Sequence, residues 1–523
     1  MAEQRTRKAI KNAAFGVMSY VILTIGTLIT RWVFVAQFDQ VFAGYGTELS
    51  GIESLFKSII SMMALAELGI GTGLVYLLYK PIAARDHDAI HRILNFYKKA
   101  YQVVAAIILT IGVVMCFFVH SLAKDTTCSP VYLGVTFFLY MLDTLASYLF
   151  ANQRALIVAD QKNYLNNINE VIMNFLTMVL QVTFLCLVRS FVLYIIIRVV
   201  CRVVAALLIH RNFKRLYPDI AAMRGKETID KDQQHQVFKT LYAMLFHKIG
   251  GVMSHKAGII IISRVLGTVI NGMYSYYLTV TDAVVSLVTQ LFSGITASFG
   301  DYLTGDDIDA AHEKFHVLYY FNFVVSSFCA TALFVLIQPF IGMWVGANNR
   351  LSNMTALLVA VYFYLYSLRR VIFVVRDSTG LYRPDRYMPL IETGLNIGLS
   401  IALAVTTHKI EYVLLANIIS MVAVPIWIQP CVVYKHVFKR SPAPYFLRYV
   451  MYAALTAAGM ALTWTAANHL PTMGAIPTLV VRAALCLVIP NAINLLPFLR
   501  TAESRYLRGL AVSMVKRKKK GVS

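Results

Sequence analysis

Nine ionisable residues interrupt stretches that are otherwise apolar: Arg31, Glu53, Lys57, Glu67, Lys248, His255, Asp282, Arg369 and Arg370. A charged side chain deep in a bilayer costs about 2.5–3.5 kcal/mol on insertion scales, so it faces a cavity or a partner. Cations outnumber carboxylates in this set. Low-dielectric walls focus the field of such a group, and the expected guest is an anion rather than a cation. A pyrophosphate suits that chemistry, because guanidinium and ammonium groups give it charge-assisted hydrogen bonds. Arg31, Lys57, Lys248, His255, Arg369 and Arg370 are therefore the expected substrate-binding residues.

Spacing sorts these charges further. Glu53 precedes Lys57 by one helical turn, so the two can pair on one face, and a plain structural ion pair is the competing reading. Lys248 and His255 are two turns apart and share a stripe. Asp282 falls near the middle of its apolar run, where a carboxylate reaches neither surface; the other reading is a neutral, hydrogen-bonded acid. Asp282, Glu53 and Glu67 are the expected ion-coupling groups, for a proton or for sodium. Arg198, Arg202 and Arg482 read as snorkelling or interfacial cations, a reading also open for Arg31 and Lys256, and His247 reads as an interfacial histidine.

Chemistry of other kinds finds little support. The seven cysteines lie mostly in or at the ends of apolar runs and make no disulfide framework. No Cys/His cluster has metal-ligand spacing. No catalytic residue, metal or cofactor is expected, and the chain is not expected to be an enzyme.

The elements that must position these residues are membrane helices. The chain of 523 residues is 58% hydrophobic and 14% charged, against roughly 25% charged in soluble domains. Apolar runs long enough to cross a hydrocarbon core of about 30 Å recur almost end to end. Helices are expected near 12–36, 49–79, 92–119, 130–152, 164–188, 190–210, 240–263, 270–300, 315–338, 353–375, 387–407, 411–434, 446–468 and 476–499. The fold class is all-α and polytopic, with about fourteen transmembrane helices.

The net charge of +22 could point to nucleic acid, but its distribution argues against that partner. With the N-terminus inside, Lys and Arg fall overwhelmingly on the cytoplasmic side, as the positive-inside rule requires, and both termini are expected to be cytoplasmic. Arg5, Arg7, Lys8 and Lys11 precede an apolar stretch too long for a signal peptide, with no small-residue cleavage site after it. The tail Lys516-Arg517-Lys518-Lys519-Lys520 can bind anionic headgroups or simply retain the terminus inside.

The longest polar segment divides the chain. Residues 1–210 are expected to form an N-lobe of six helices, 211–239 a cytoplasmic linker, 240–440 a C-lobe of six, 441–500 two further helices, and 501–523 a basic cytoplasmic tail. Two related bundles around a site suit a transporter.

Three stretches resemble the Wzx-type polysaccharide repeat-unit flippases of the multidrug/oligosaccharidyl-lipid/polysaccharide (MOP) exporter superfamily. The first runs from Leu49-Ser50-Gly51-Ile52 through Ala66-Glu67-Leu68-Gly69-Ile70-Gly71 to Tyr76-Leu77-Leu78-Tyr79-Lys80-Pro81. The second holds Ile260-Ile261-Ile262-Ser263, Leu266-Gly267, Tyr274-Ser275-Tyr276-Tyr277 and Ser298-Phe299-Gly300-Asp301. The third holds Leu368-Arg369, Arg376-Asp377-Ser378-Thr379-Gly380-Leu381-Tyr382, Asp385-Arg386, Pro389, Glu392 and Asn396. The resemblance covers nearly the whole chain.

It implies two six-helix lobes around a central cavity, plus two C-terminal helices. It implies flipping of undecaprenyl-pyrophosphate-linked oligosaccharide from the inner to the outer leaflet of a bacterial cytoplasmic membrane by alternating access. Capsule, exopolysaccharide or O-antigen-type export would be served, with polymerase and export machinery as partners beside the membrane lipids. Arg31 occupies the place of a first-helix cavity arginine of related flippases. One departure is that Lys256-Ala257-Gly258 stands where members often carry Thr-Asp-Asn, which would leave Asp282 or Glu53 to substitute in ion coupling.

The third stretch also has its own physics. Gly380 suits a helix C-cap. Arg376, Asp377, Asp385, Arg386 and Glu392 are expected at the cytoplasmic mouth, as ion pairs that latch a gate or as a static corner. Two rival functions remain. A multidrug-type cation-coupled antiporter of the same superfamily predicts about twelve helices and a cavity suited to organic cations. A membrane-embedded polysaccharide polymerase or glycosyltransferase predicts a substantial outer loop with catalytic groups, and the outer loops here are short.

Overall fold

In hydrocarbon every backbone N–H and C=O must be satisfied within its own segment, so apolar runs of this length become helices. The computed structural model describes residues 2–67, 70–225, 227–304, 308–471 and 473–509, with side chains from residue 20 onward except at 66, 70, 72, 73, 236–247 and 293–304. The side chains of Arg5, Arg7, Lys8, Lys11, His247, Ser298, Phe299 and Asp301, and the whole basic tail from Lys516, lie outside what is described.

In chain order the helices are α1 (Ala2–Phe38), α2 (Tyr45–Met63), α3 (Ile70–Ala84), α4 (His87–Leu122), α5 (Pro130–Ser147), α6 (Ala151–Ala159), α7 (Asn163–Val188), α8 (Phe191–Leu216), α9 (Pro218–Ala222) and α10 (Lys231–Ile261). They continue with α11 (Thr268–Thr304), α12 (Ile308–Trp344), α13 (Asn353–Leu368), α14 (Arg370–Thr379), α15 (Met388–Thr407), α16 (Ile410–Ala423), α17 (Pro425–Val433), α18 (Ala443–Asn468) and α19 (Ala475–Leu495). Among the described residues 12 helices are long and apolar enough to cross a membrane. The predicted segments 49–79 and 270–300 are helical as well; α2 carries Glu48, Glu53 and Lys57 within 19 residues. The protein is an all-α, multi-pass membrane protein.

Three expected spans are not continuous. The segment 49–79 stops at Met63, passes through a 3-10 turn over Ala64–Glu67 and resumes at Ile70. Gly69, Gly71 and Gly73 crowd that stretch and weaken its helix propensity. The segment 353–375 breaks at Arg369, where the buried Asn322 amide on α12 donates to the carbonyls of Ser367 at 3.0 Å and Leu368 at 2.9 Å. A side chain inserted into the ladder in this way is a recognised cause of a kink. The segment 411–434 breaks before Pro425, whose ring removes a backbone donor.

Helix ends follow local chemistry. Ser129 caps α5, Ser190 caps α8 and Ser352 caps α13, each hydroxyl accepting a backbone N–H of the first turn. Gly380 closes α14 at φ 63°, a left-handed value that glycine adopts without strain.

The chain divides into two compact units, one of residues 1–272 with 404–408 and one of 273–403 with 409–523. In the first, α2 meets the start of α11 backbone to backbone. A Cβ on Gly51 would sit 1.9 Å from the Thr268 carbonyl oxygen, and one on Gly272 the same distance from that of Thr47. Asn271 fixes the contact by donating to the Gly51 carbonyl at 2.8 Å. Phe34, Phe38, Tyr140, Phe191 and Tyr194 pack α1, α5 and α8 together. In the second unit α12 packs against α13, α18 and α19, with Phe323 stacked on Tyr452 at 4.0 Å and Tyr319 on Tyr445 at 4.7 Å.

Candidate functional site

The first unit holds an open-sided cavity of about 510 Å³ lined by α1, α2, α7 and α8. Much of its wall is apolar, from Ile22, Ile25 and Ile29 on α1 and Met173, Phe175 and Met178 on α7. Arg31, Glu53, Lys57, Arg198 and Arg202 supply its charge, and Asn174 and Gln181 its amides.

Glu53 is the hub. It is 1% exposed, and its Oε2 meets Arg31 at 2.6 Å while its Oε1 meets Lys57 at 2.7 Å. The Tyr140 hydroxyl donates to Oε1 at 2.5 Å, and Arg198 reaches it at 3.9 Å. Arg31 also donates to Ser50 at 3.1 Å. A second hub lies alongside. Asp143 on α5, almost fully buried, takes Arg198 Nε on Oδ2 at 2.9 Å and Arg202 Nε on Oδ1 at 3.2 Å. Four cations around two carboxylates leave a formal excess of two positive charges.

Arg198 and Arg202 correct the snorkelling expectation. They turn inward because a buried carboxylate offers each Nε an ionic hydrogen bond that an interface would not match. Asp143 was missing from the expected site residues. The signal was present, since it is the one charged residue in the apolar segment Pro130–Ser147.

Other expected residues lie elsewhere. Lys248 and His255 are exposed on α10, outside the lining of this cavity. Glu67 sits in the 3-10 turn and accepts hydrogen bonds from Tyr101 and Tyr148. Asp282 on α11 is exposed and does not line this cavity.

In the second unit Arg369 is buried in the break between α13 and α14 and donates twice to Gln429 Oε1, at 2.7 and 3.2 Å. Arg370 donates to Thr289 at 2.7 Å. Arg376 and Asp385 form a buried ion pair at 3.0 Å. Asp377 is exposed and accepts from the Tyr382 hydroxyl at 2.7 Å, and Arg386 is exposed above the ring of Tyr387. Glu392 lies on α15 within electrostatic reach of Arg369. No group of His, Cys, Asp and Glu arranged to hold a metal occurs among the described residues.

No family model and no curated protein sequence matches the chain. Solved structures do. The chain is similar to the lipid II flippase MurJ in an inward closed conformation, with a TM-score of 0.63 at 11% identity over 91% of this chain and 99% of that one. It is similar to a Vibrio cholerae MATE transporter, VcmN, with a TM-score of 0.56 at 11% identity over 83% of this chain and 99% of that one. It is also similar to an inward-facing multidrug resistance MATE transporter of the MOP superfamily, with a TM-score of 0.55 at 11% identity over 77% and 92%. The chain has the fold of the MOP-superfamily transporters and flippases.

Proposed function

We propose that the protein flips an anionic lipid-linked oligosaccharide, of the undecaprenyl-pyrophosphate class, from the inner to the outer leaflet of a bacterial cytoplasmic membrane by alternating access. The observation that carries this reading is the excess of two positive charges at a cavity with otherwise largely apolar walls. Such walls keep the dielectric low, so the cations act on a pyrophosphate far more strongly than they would in water. The apolar surface of α1 and α7 suits the lipid side of the same cargo. Lys248, His255, Arg369 and Arg370 enter as further cations whose neutralisation weakens transport. Asp282 enters as the coupling carboxylate, for a proton or sodium, and the Arg376–Asp385 pair as a latch that exchanges partners during the cycle. Both termini are cytoplasmic, and polysaccharide polymerase and export proteins are the partners.

A multidrug-type antiporter is the second reading, favoured by the two MATE neighbours. An organic cation entering this cavity would meet like charge, which works against it. Proteoliposomes decide between the two. Carrying the purified full-length chain, they should expose a labelled prenyl-pyrophosphate glycan on the opposite leaflet and show no uptake of organic cations under a proton or sodium gradient. Cation uptake without glycan exposure overturns the proposal.

A further inference from the structure

We infer that Arg198 and Arg202, positioned by Asp143, form the second half of a diphosphate site whose first half is Arg31 and Lys57, positioned by Glu53. This rests on the flippase reading for its cargo and adds the residues that select a diphosphate over a single phosphate.

The two halves are built alike. Each carboxylate divides its two oxygens between two cations: Glu53 between Arg31 and Lys57, Asp143 between Arg198 and Arg202. The pairs adjoin, since Arg198 also lies 3.9 Å from Glu53. Arg198 and Arg202 are one turn apart on α8, so they share a face. Both line the cavity and reach Asp143 through Nε, so Asp143 itself engages neither residue's terminal nitrogens, and Arg198 Nη1 lies 3.9 Å from Glu53. Lys57 spends one of its three donors on Glu53 and is 44% exposed. The carboxylates thus hold the cations in place through one nitrogen of each: Arg31 Nη1, which also meets Ser50, Lys57 Nζ, and the Nε of Arg198 and of Arg202.

Charge matches as well as geometry. A pyrophosphate diester between a lipid and a sugar carries one negative charge on each phosphate. Two adjoining cation pairs with a formal excess of two positive charges would neutralise it, one phosphate to a pair. A single phosphate would leave one pair uncovered. The neighbouring residues extend the polar surface. A smaller cavity of about 50 Å³ shares Met173, Asn174, Arg202 and Ala205 with the main one and continues to Asn166, Asn169 and Glu170. Its size admits a few waters and not a sugar, so the glycan is left to the larger space.

The test is calorimetric titration of the full-length protein in nanodiscs with inorganic phosphate, inorganic pyrophosphate and a short-chain prenyl-diphosphate sugar. Both diphosphates should bind at least tenfold more tightly than phosphate. Arg202→Gln should lower diphosphate affinity roughly tenfold, the scale of one charged hydrogen-bonding group, and leave phosphate affinity within about twofold, so the preference disappears. Asp143→Asn should do the same by releasing both arginines, and Asp143→Glu should restore part of the preference, which a merely structural role would not do. Where Arg202→Gln does not fold, Arg202→Lys carries the test, because it keeps charge and loses the planar fork. Equal wild-type affinity for phosphate and diphosphate overturns the inference, as does an unchanged preference in a folded Arg202 variant. Tight binding of inorganic pyrophosphate but not of the prenyl-diphosphate sugar assigns the site to a free anion and overturns the lipid-linked source. A site that behaves as inferred in a protein that exposes no glycan in proteoliposomes sinks the flippase reading and leaves the site standing.

Discussion

Arg31 on α1 and Glu53 on α2 meet at 2.6 Å with the carboxylate 1% exposed and the guanidinium 11% exposed. Lys57 closes the other side of the same carboxylate at 2.7 Å. Glu53 therefore acts as a fixed counter-ion. Glu53→Gln should destabilise the first unit by about 3–5 kcal/mol, because it leaves the largely buried Arg31 guanidinium without its counter-ion, while Lys57, 44% exposed, can turn to solvent. A thermal melt of purified protein in detergent reads this directly, and a melting temperature equal to wild type would contradict the counter-ion role.

Arg31 offers a graded test of transport. Arg31→Gln should abolish glycan exposure in proteoliposomes while leaving membrane insertion intact. Arg31→Lys should retain a measurable fraction, since the charge stays and a single nitrogen, Nη1, makes the contacts to both Glu53 and Ser50, while the remaining guanidinium donors are lost. Full activity in both variants would remove Arg31 from the binding site.

Asp282, with Glu53 and Glu67, is one of three carboxylates expected to couple an ion, and its role has a direct test. It is exposed on α11. Asp282→Asn should cut gradient-driven transport more than it cuts the amount of protein in the membrane. Parallel losses in immunoblot and transport signals would mean a folding role instead.

A pH-sensitive contact lies beyond the last membrane helix. Glu503, in the helix of residues 502–509, accepts Arg448 of α18 at 2.8 Å. Burial alone would raise its pKa, but its own backbone N–H and Arg448 together lower it below the usual carboxylate range. With the folded value below the unfolded one, the contact contributes stability above about pH 4.3 and loses it as pH falls through the folded value. Proteolytic release of residues beyond 500 should therefore rise in acid below that value and be flat above pH 6. Glu503→Gln should show the acid level of release at neutral pH.

Much of this was legible from residue types alone. Glu53 and Lys57 sit one turn apart, so their pairing follows from helix geometry, and Gly380 at the end of an apolar run announced a left-handed cap. Arg198 and Arg202 were misread because their register on α8 says only that they share a face. Which way that face turns depends on Asp143, a residue 55 positions away from Arg198 in sequence. The break at Arg369 was hidden for the same reason, since it is made by Asn322 on another helix reaching the carbonyls of Ser367 and Leu368. Local signals fix where helices start and stop; contacts between distant segments decide which charges face inward and where helices bend.

The contact between α2 and the start of α11 gives the most direct steric prediction. Gly51 and Gly272 each lie where a Cβ would come within 1.9 Å of a carbonyl oxygen on the facing backbone. No rotamer change relieves a clash with backbone, so the helices must part. Gly51→Ala would also strain the hydrogen bond that Asn271 donates to the Gly51 carbonyl. Overpacking of this kind costs roughly 1–3 kcal/mol, occasionally more. Glu53 stands two residues further along α2, so a displaced helix also moves the hub of the cation cluster. Gly51→Ala should lower both melting temperature and pyrophosphate affinity, whereas Gly44→Ala, in an open turn at φ 86° with nothing within 4 Å of the added Cβ, should lower melting temperature without altering affinity. Wild-type melting and binding in Gly51→Ala would show that the two backbones do not approach this closely in the membrane.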